Sequence, residues 1–228
     1  MFVRSYPQQV MTLNKTHPWE LAWREGRWEE ASPPLPEVVE FANDLKREGA
    51  KTILDLGCGA GRHSVLLGKQ GFQVIALDIS ETALKTLDGR LKTASVDTVA
   101  LVKHEMRDLP FIDGYFDGII CTNVLHHGKI FEIKQVVREI RRVLRKEASA
   151  FIVALSTSDF RKGNGKKLEP NTYVFTKGEE RGIIHHFFPG SELKSCLKGT
   201  KIVSFKERLI PIEEGGNRAH FLVKLKKP

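Results

Sequence analysis

The stretch Lys51 to Ser80, KTILDLGCGAGRHSVLLGKQGFQVIALDIS, limits what this chain can fold into more than any other. Thr52 to Leu56 is a short apolar run of buried-strand type. Gly57, Gly59 and Gly61 follow it as a turn in which side chains would block close approach of a ligand. A helix is expected from Arg62 to Gln70, and a second strand, Gln73 to Leu77, delivers Asp78 at its carboxyl end. Ligands of open α/β sheets collect at such strand ends, and an acidic side chain about 20 residues beyond the glycines can accept hydrogen bonds from both hydroxyls of a ribose. The unit therefore predicts a pocket for an adenosine-bearing cofactor.

Glycine spacing separates the cofactor classes. A dinucleotide fingerprint would place its third glycine at position 62, so that a pyrophosphate could sit on the helix amino terminus. That position holds Arg62, which disfavours a nicotinamide oxidoreductase. The chain spells D-x-G-x-G-x-G from Asp55 to Gly61, and this resembles motif I of the class I S-adenosylmethionine-dependent methyltransferases. The resemblance implies S-adenosyl-L-methionine as cofactor. It also implies a Rossmann-like α/β fold, doubly wound, with a mostly parallel seven-stranded sheet and an antiparallel edge strand. The cofactor's ammonium would favour a carboxylate such as Asp55. The implied contacts around the loop are Gly57, Cys58, Gly59, Gly61 and Arg62, with Asp78 and Ile79 at the second strand end.

Two further segments fall where that family would put them. HEMRDLP, His104 to Pro110, follows a strand-like run from Thr98 to Lys103. Asp108 there matches the family's acid that bonds the adenine amino group, with Arg107 and Leu109 beside it. FDGIICTNV, Phe116 to Val124, resembles motif IV, a central strand whose far end, Asn123, borders the transferred methyl. A helix from Ile130 to Lys146 then carries Val136, Val137, Ile140, Val143 and Leu144 as one apolar stripe, and the strand Ala150 to Leu155 closes the core. Where the family usually has a Gly-Gly turn before that strand, this chain has Lys146, Glu147 and Ala148.

The resemblance runs from about Trp19 to Leu155, so residues 49–155 read as a cofactor-binding core within a single domain spanning 1–228. Residues 1–48, with Trp19, Trp23, Trp28 and the Pro33, Pro34, Pro36 cluster, resemble the amino-terminal segment of thiopurine and tellurite-resistance methyltransferases. In such relatives this segment is a helical lid on the cleft. The competing reading is a helix whose tryptophans pack on the sheet. Residues 156–228 read as a polar, basic acceptor-side loop, Ser156 to Pro170, followed by a strand leading into a helix begun at Ser191. Two antiparallel strands come last, Lys201 to Leu209 and His220 to Leu225, turning at residues 213–216.

Composition bounds the rest. With 228 residues and 41% hydrophobic content the chain can bury a large core. No apolar run approaches the roughly 18 residues that span a bilayer, and no signal-peptide pattern opens the sequence, so a cytoplasmic protein with no membrane partner is expected. The three cysteines, Cys58, Cys121 and Cys196, are odd in number and widely spaced, which suits a reducing compartment. Residues 129–228 hold 22 Lys plus Arg against 11 Asp plus Glu, whereas residues 1–128 hold 14 against 17. That asymmetry keeps RNA, such as tRNA, open as an alternative acceptor.

Four histidines come as pairs, His126–His127 and His185–His186. Adjacent strand residues point to opposite faces and no acidic or cysteine partner has suitable spacing, so no metal site is expected. His127 and His186 are the candidates for a catalytic base beside the acceptor, against the alternative of histidines hydrogen-bonded within loops. The expected activity is methyl transfer from S-adenosylmethionine to a small-molecule acceptor. A non-catalytic S-adenosylmethionine-binding regulatory subunit is the alternative from another class. Motif IV lacks the Asn/Asp-Pro-Pro-aromatic pattern used on the adenine exocyclic amine, and no Pro-Cys nucleophile is present.

Overall fold

The computed structural model describes residues 16–27, 32–213 and 215–228. In chain order the elements are α1 (Pro18–Arg24), α2 (Pro36–Arg47), β1 (Thr52–Leu56), α3 (Arg62–Lys69), β2 (Gln73–Asp78), α4 (Glu81–Thr93), β3 (Val99–Lys103) and β4 (Phe116–Thr122). There follow α5 (Ile130–Val143), β5 (Leu144–Leu155), β6 (Lys166–Glu169), β7 (Thr172–Val174), β8 (Ile184–His186), α6 (Gly190–Cys196), β9 (Lys201–Pro211) and β10 (Asn217–Lys226).

Strands with long apolar runs buried on both faces fold into parallel sheets covered by helices. β1, whose last four residues are all buried, lies near the centre of a seven-stranded sheet ordered β3-β2-β1-β4-β5-β10-β9. The β2–β1, β1–β4, β4–β5 and β2–β3 pairs are parallel, and β10 and β9 join antiparallel at one edge. This is the doubly wound sheet the sequence predicted, antiparallel edge included. The strand order reverses between β1 and β4, which opens a crevice at their carboxyl ends.

Helices cover both faces. On one, the α5 stripe of Ile133, Val136, Val137, Ile140 and Val143 packs with Leu54, Ile119 and Ile152. On the other, Val38, Phe41, Ala42 and Leu45 of α2 pack with Ile53, Val74 and Ile120. The amino-terminal segment thus divides. α2 is a layer of the core, and α1 lies over the strand ends.

Two local outcomes depart from expectation. No separate turn or glycine stands between α5 and β5: the strand begins at Leu144, and within it Glu147 takes the left-handed conformation at φ 62° while its N–H bonds the Lys227 carbonyl at 2.8 Å. And the polar segment after β5 is not wholly loop, because Lys166–Glu169 pairs with Thr172–Val174 and that strand with Ile184–His186 in a second, three-stranded antiparallel sheet. These strands are too short to carry a period-2 signal legible in sequence.

Candidate functional site

The glycine turn is shaped from within the protein. Gly57, Gly59 and Gly61 have φ of 72°, 55° and 80°, where an L side chain is strained. A Cβ on Gly57 would come within 2.3 Å of Val124, and one on Gly61 within 2.1 Å of Leu87. At these two positions the missing side chain makes room for the end of β4 and the flank of α4, which lets the β1–α3 turn sit down on its neighbours, while Gly57 also stands on the cleft wall.

Asp78, at the tip of β2, accepts the Gly59 N–H at 2.9 Å through one carboxylate oxygen and the Ser80 N–H at 2.9 Å through the other. Burial raises its pKa above the ordinary carboxylate value; these backbone bonds oppose the rise and the charge of Glu20 adds to it. The carboxylate stands on the wall of a cleft of about 1840 Å³, which also takes in Gly57, Arg62, Ile79, Arg107 and Asn123. Pockets for one ligand commonly measure roughly 300–1,000 Å³, so this one has room for two. Asn123 adopts φ 60° just past β4. Its Oδ1 is buried with no hydrogen-bond partner among the described residues.

The remaining residues expected at the cofactor lie off the cleft wall. Asp55 is 1% exposed and accepts the Ser64 hydroxyl at 2.6 Å, tying β1 to α3. Cys58 and Leu109 are buried, while Gly59 and Gly61 hold the turn from behind. Asp108 is solvent-exposed; past the end of β3, the cleft side of the turn carries His104, Glu105, Met106 and Arg107 instead. Glu105 is therefore the acid this segment presents, with Arg107 Nη2 3.0 Å from its Oε2.

α1 closes over this end. His17, Trp19 and Trp23 line the cleft, and Trp19 meets the His127 ring edge-on at 4.9 Å. Trp28 falls outside the described residues. Glu20 fastens the helix down by accepting the Ser80 hydroxyl at 2.7 Å, the Thr82 hydroxyl at 2.8 Å and the Thr82 N–H at 3.2 Å. An acidic group there also meets the positive end of the α4 dipole. The Pro33–Leu35 stretch rests on α3, with the Leu35 N–H bonded to His63 Nε2 at 3.2 Å.

Neither candidate base has a nitrogen lone pair facing the cleft. His127 is on the wall, but Nε2 lies 3.0 Å from the Asn123 carbonyl and Nδ1 3.3 Å from the Ile184 carbonyl. Burial, helped by His185, lowers its pKa to about 3. A base at that value holds a proton weakly at neutral pH. His186 is buried away from the cleft between Thr172 Oγ1 at 2.8 Å and Glu192 Oε2 at 3.1 Å. Both imidazoles are thus hydrogen-bonded within the fold, His127 on the cleft wall and His186 off it. His185 stacks on Phe175 at 4.1 Å, with Nε2 3.3 Å from Glu180 Oε2. Glu20, Glu105 and His63 were not singled out in the sequence, since each acquires its place through contacts made across the fold.

Among the described residues no His, Cys, Asp or Glu cluster is arranged to hold a metal, and no helix is long and apolar enough to cross a membrane.

Residues 53–147 match the family described as "Methyltransferase domain". A putative methyltransferase of Bacillus subtilis, YqeM, is 33% identical over 147 residues, 64% of this chain and 57% of that protein. The chain thus spans little more than half the length of that curated relative. Among solved structures, a SAM-dependent methyltransferase of Methanosarcina mazei superposes with a TM-score of 0.69 at 20% identity, covering 86% of this chain and 99% of the other. The 1,6-didemethyltoxoflavin N1-methyltransferase of Burkholderia thailandensis, solved with 1,6-didemethyltoxoflavin and S-adenosylhomocysteine bound, gives 0.63 at 18% identity, covering 99% and 93%.

Proposed function

We infer that this chain, which belongs to the class I S-adenosylmethionine-dependent methyltransferases, transfers the cofactor's methyl group to a small-molecule acceptor. One observation carries the reading: Asp78, at the end of β2, and Asn123, whose buried Oδ1 has no partner among the described residues, line one cleft at strand ends that flank β1 on either side. The Asp78 carboxylate accepts backbone N–H groups through both oxygens and keeps lone pairs free for further donors, which suits the two ribose hydroxyls. A buried amide oxygen without a partner costs free energy that an incoming N–H would recover. The cofactor's ammonium and an acceptor amine both supply such a donor.

When bound, S-adenosylmethionine supplies an electrophilic methyl group on a sulfonium. The protein's task is then to align an acceptor with that methyl and to keep water out. Trp19 and Trp23, held by the Glu20 contacts, would cover the cofactor end, and Glu105 would accept from the adenine amino group. With the imidazole nitrogens of His127 set against carbonyls, no histidine base is assigned, and alignment carries the rate. The small-molecule acceptor is supported by the toxoflavin-precursor enzyme, whose fold this chain shares. RNA rests on bulk charge alone.

Two measurements test this reading. Calorimetry should show S-adenosylhomocysteine binding to the wild-type chain and not NAD. Label from methyl-tritiated S-adenosylmethionine should enter a small-molecule extract. Tight cofactor binding with no transfer into any pool would favour the regulatory-subunit alternative.

A further inference from the structure

We propose that the acceptor carries a carboxylate or phosphate group, held by a cationic wall that Arg208, Arg218, Lys166 and Lys177 build at the far end of the cleft. The proposal deepens the methyltransferase reading and rests on it.

The wall follows from sheet register. β5 ends at Leu155 opposite His220, whereas the β9–β10 ribbon continues past it to the pair Pro211 and Asn217. Directly opposed residues of antiparallel strands share a face, and so do residues two apart. Arg208 opposes His220 and Ile210 opposes Arg218, so these four side chains lie together, and all four line the cleft. Lys166 of β6 and Lys177 beyond β7 line it too.

Most of these cations are not neutralised. Arg161, also on the wall, is committed to Asp159 at 2.8 Å and to Glu180 at 3.4 Å. Arg27 bonds Glu25 and the carbonyls of Glu179 and Arg181. By contrast, Lys166, Lys177 and Arg218 make no ion pair among the described residues, where the neighbouring pairs belong to Arg161, Arg181 and Arg208. Arg208 gives one N–H to Glu37 at 2.7 Å, and its Nε is buried without a partner. The carboxylates at this end are Glu179, which is exposed, and Glu180, which faces Arg161 and His185. Between them, burial together with Arg161, Arg208 and Arg218 lowers the pKa of His220 to about 4, against the opposing charge of Asp159.

Like charges gathered on one concave wall repel, and a buried guanidinium N–H without an acceptor is costly. An anion relieves both, and a guanidinium fork matches the planar oxygen pair of a carboxylate or two oxygens of a phosphate. At the opposite end Glu105 and Glu132 are both paired with Arg107. The cations without an ion pair therefore stand where the acceptor would enter, which would fix the direction in which an anionic acceptor lies.

The test uses the full chain saturated with S-adenosylhomocysteine and titrated calorimetrically with citrate and with pyrophosphate at low salt. Saturable binding is expected, weakened about tenfold or more in the K166Q/R218Q double variant. Both residues are exposed, so the variant should fold, and its S-adenosylhomocysteine affinity should stay at the wild-type value. Absence of anion binding, or binding unchanged in the variant, would overturn the proposal. Acceptor activity in a small-molecule extract should be retained on an anion exchanger; loss after phosphatase treatment assigns a phosphate ester, and survival assigns a carboxylate. Activity in the unretained fraction, or in RNA alone, would also overturn it. Failure of S-adenosylhomocysteine to bind the wild-type chain would instead sink the methyltransferase reading, so the two failures are told apart.

Discussion

The two ends of the cleft are built by different means. At the cofactor end, Gly57, Asp78 and Ile79 come from one continuous strand-turn-helix-strand unit. Polar contacts there are made largely by main chain, as when Gly59 and Ser80 donate to Asp78. At the acceptor end, Arg161, Lys177, Arg208 and His220 arrive from separate segments; ion pairs to Asp159, Glu180 and Glu37 hold the two arginines, and buried imidazoles pack nearby. A site fixed by backbone should tolerate changes of pH and resist changes of glycine. One fixed by buried titratable groups should do the reverse.

Acid gives the largest expected contrast. His127 and His220 have pKa values lowered by burial to about 3 and about 4. Folded, these groups bind fewer protons than in the unfolded chain, where they titrate near 6.5, so stability is full above that value and falls as pH drops through the window down to 3–4. Each contributes a slope of up to about 1.4 kcal/mol per pH unit within that window. Urea denaturation at pH 7.5 and pH 5 should show a loss of several kcal/mol, and amide exchange should rise first in β8 and β10. Equal exchange in β1 and β2 would break the contrast.

Glycine replacement should act on the other end. Gly61→Ala places a side chain at φ 80° against Leu87 and should cost about 2–4 kcal/mol, read as a lowered urea midpoint. A midpoint within error of wild type would show that α4 yields easily and that the turn is not fixed by packing.

Asp78→Ala should cost about 1.5–3 kcal/mol of S-adenosylhomocysteine affinity by calorimetry, the scale of hydrogen bonds to a charged group. Because burial raises the pKa of Asp78, wild-type affinity should begin to fall on acidification at a higher pH than an ordinary carboxylate would allow. Unchanged affinity in a folded variant would remove Asp78 from the site.

Glu20→Gln gives the smallest effect. Two of its contacts come from Ser80 and Thr82 hydroxyls, which can partner an amide as well, so a loss of about 0.5–1.5 kcal/mol is expected, seen as faster cofactor release in stopped flow. Release at the wild-type rate would mean that α1 is held by its tryptophans alone.

Legibility in the sequence follows the same division. β1, α3, β2 and β4 could be placed nearly to the residue because hydrophobic run, glycine turn and strand-end acid are adjacent in the chain. Within that unit Asp55 still misled: its spacing matched a cofactor carboxylate, yet its strand position turns it inward to Ser64. Asp108 misled for a related reason, since a turn sends residues three apart to different sides and the cleft side fell to Glu105. The histidine pairs gave no way to see which carbonyls would occupy their nitrogens.

The sequence by itself determined the strand-turn-helix-strand unit, the acid at the tip of β2 and the last pair of strands, because hydrophobic periodicity, glycine and short-range spacing act between neighbours along the chain; the seven-stranded sheet came with the family those motifs resemble. Only the tertiary structure decided which acid faces the cleft, that α1 is pinned by Glu20, that His127 and His186 are tied into the scaffold, and that basic residues far apart in the chain form one wall. Those outcomes depend on register between β9 and β10 and on burial, and both arise only when distant segments come together.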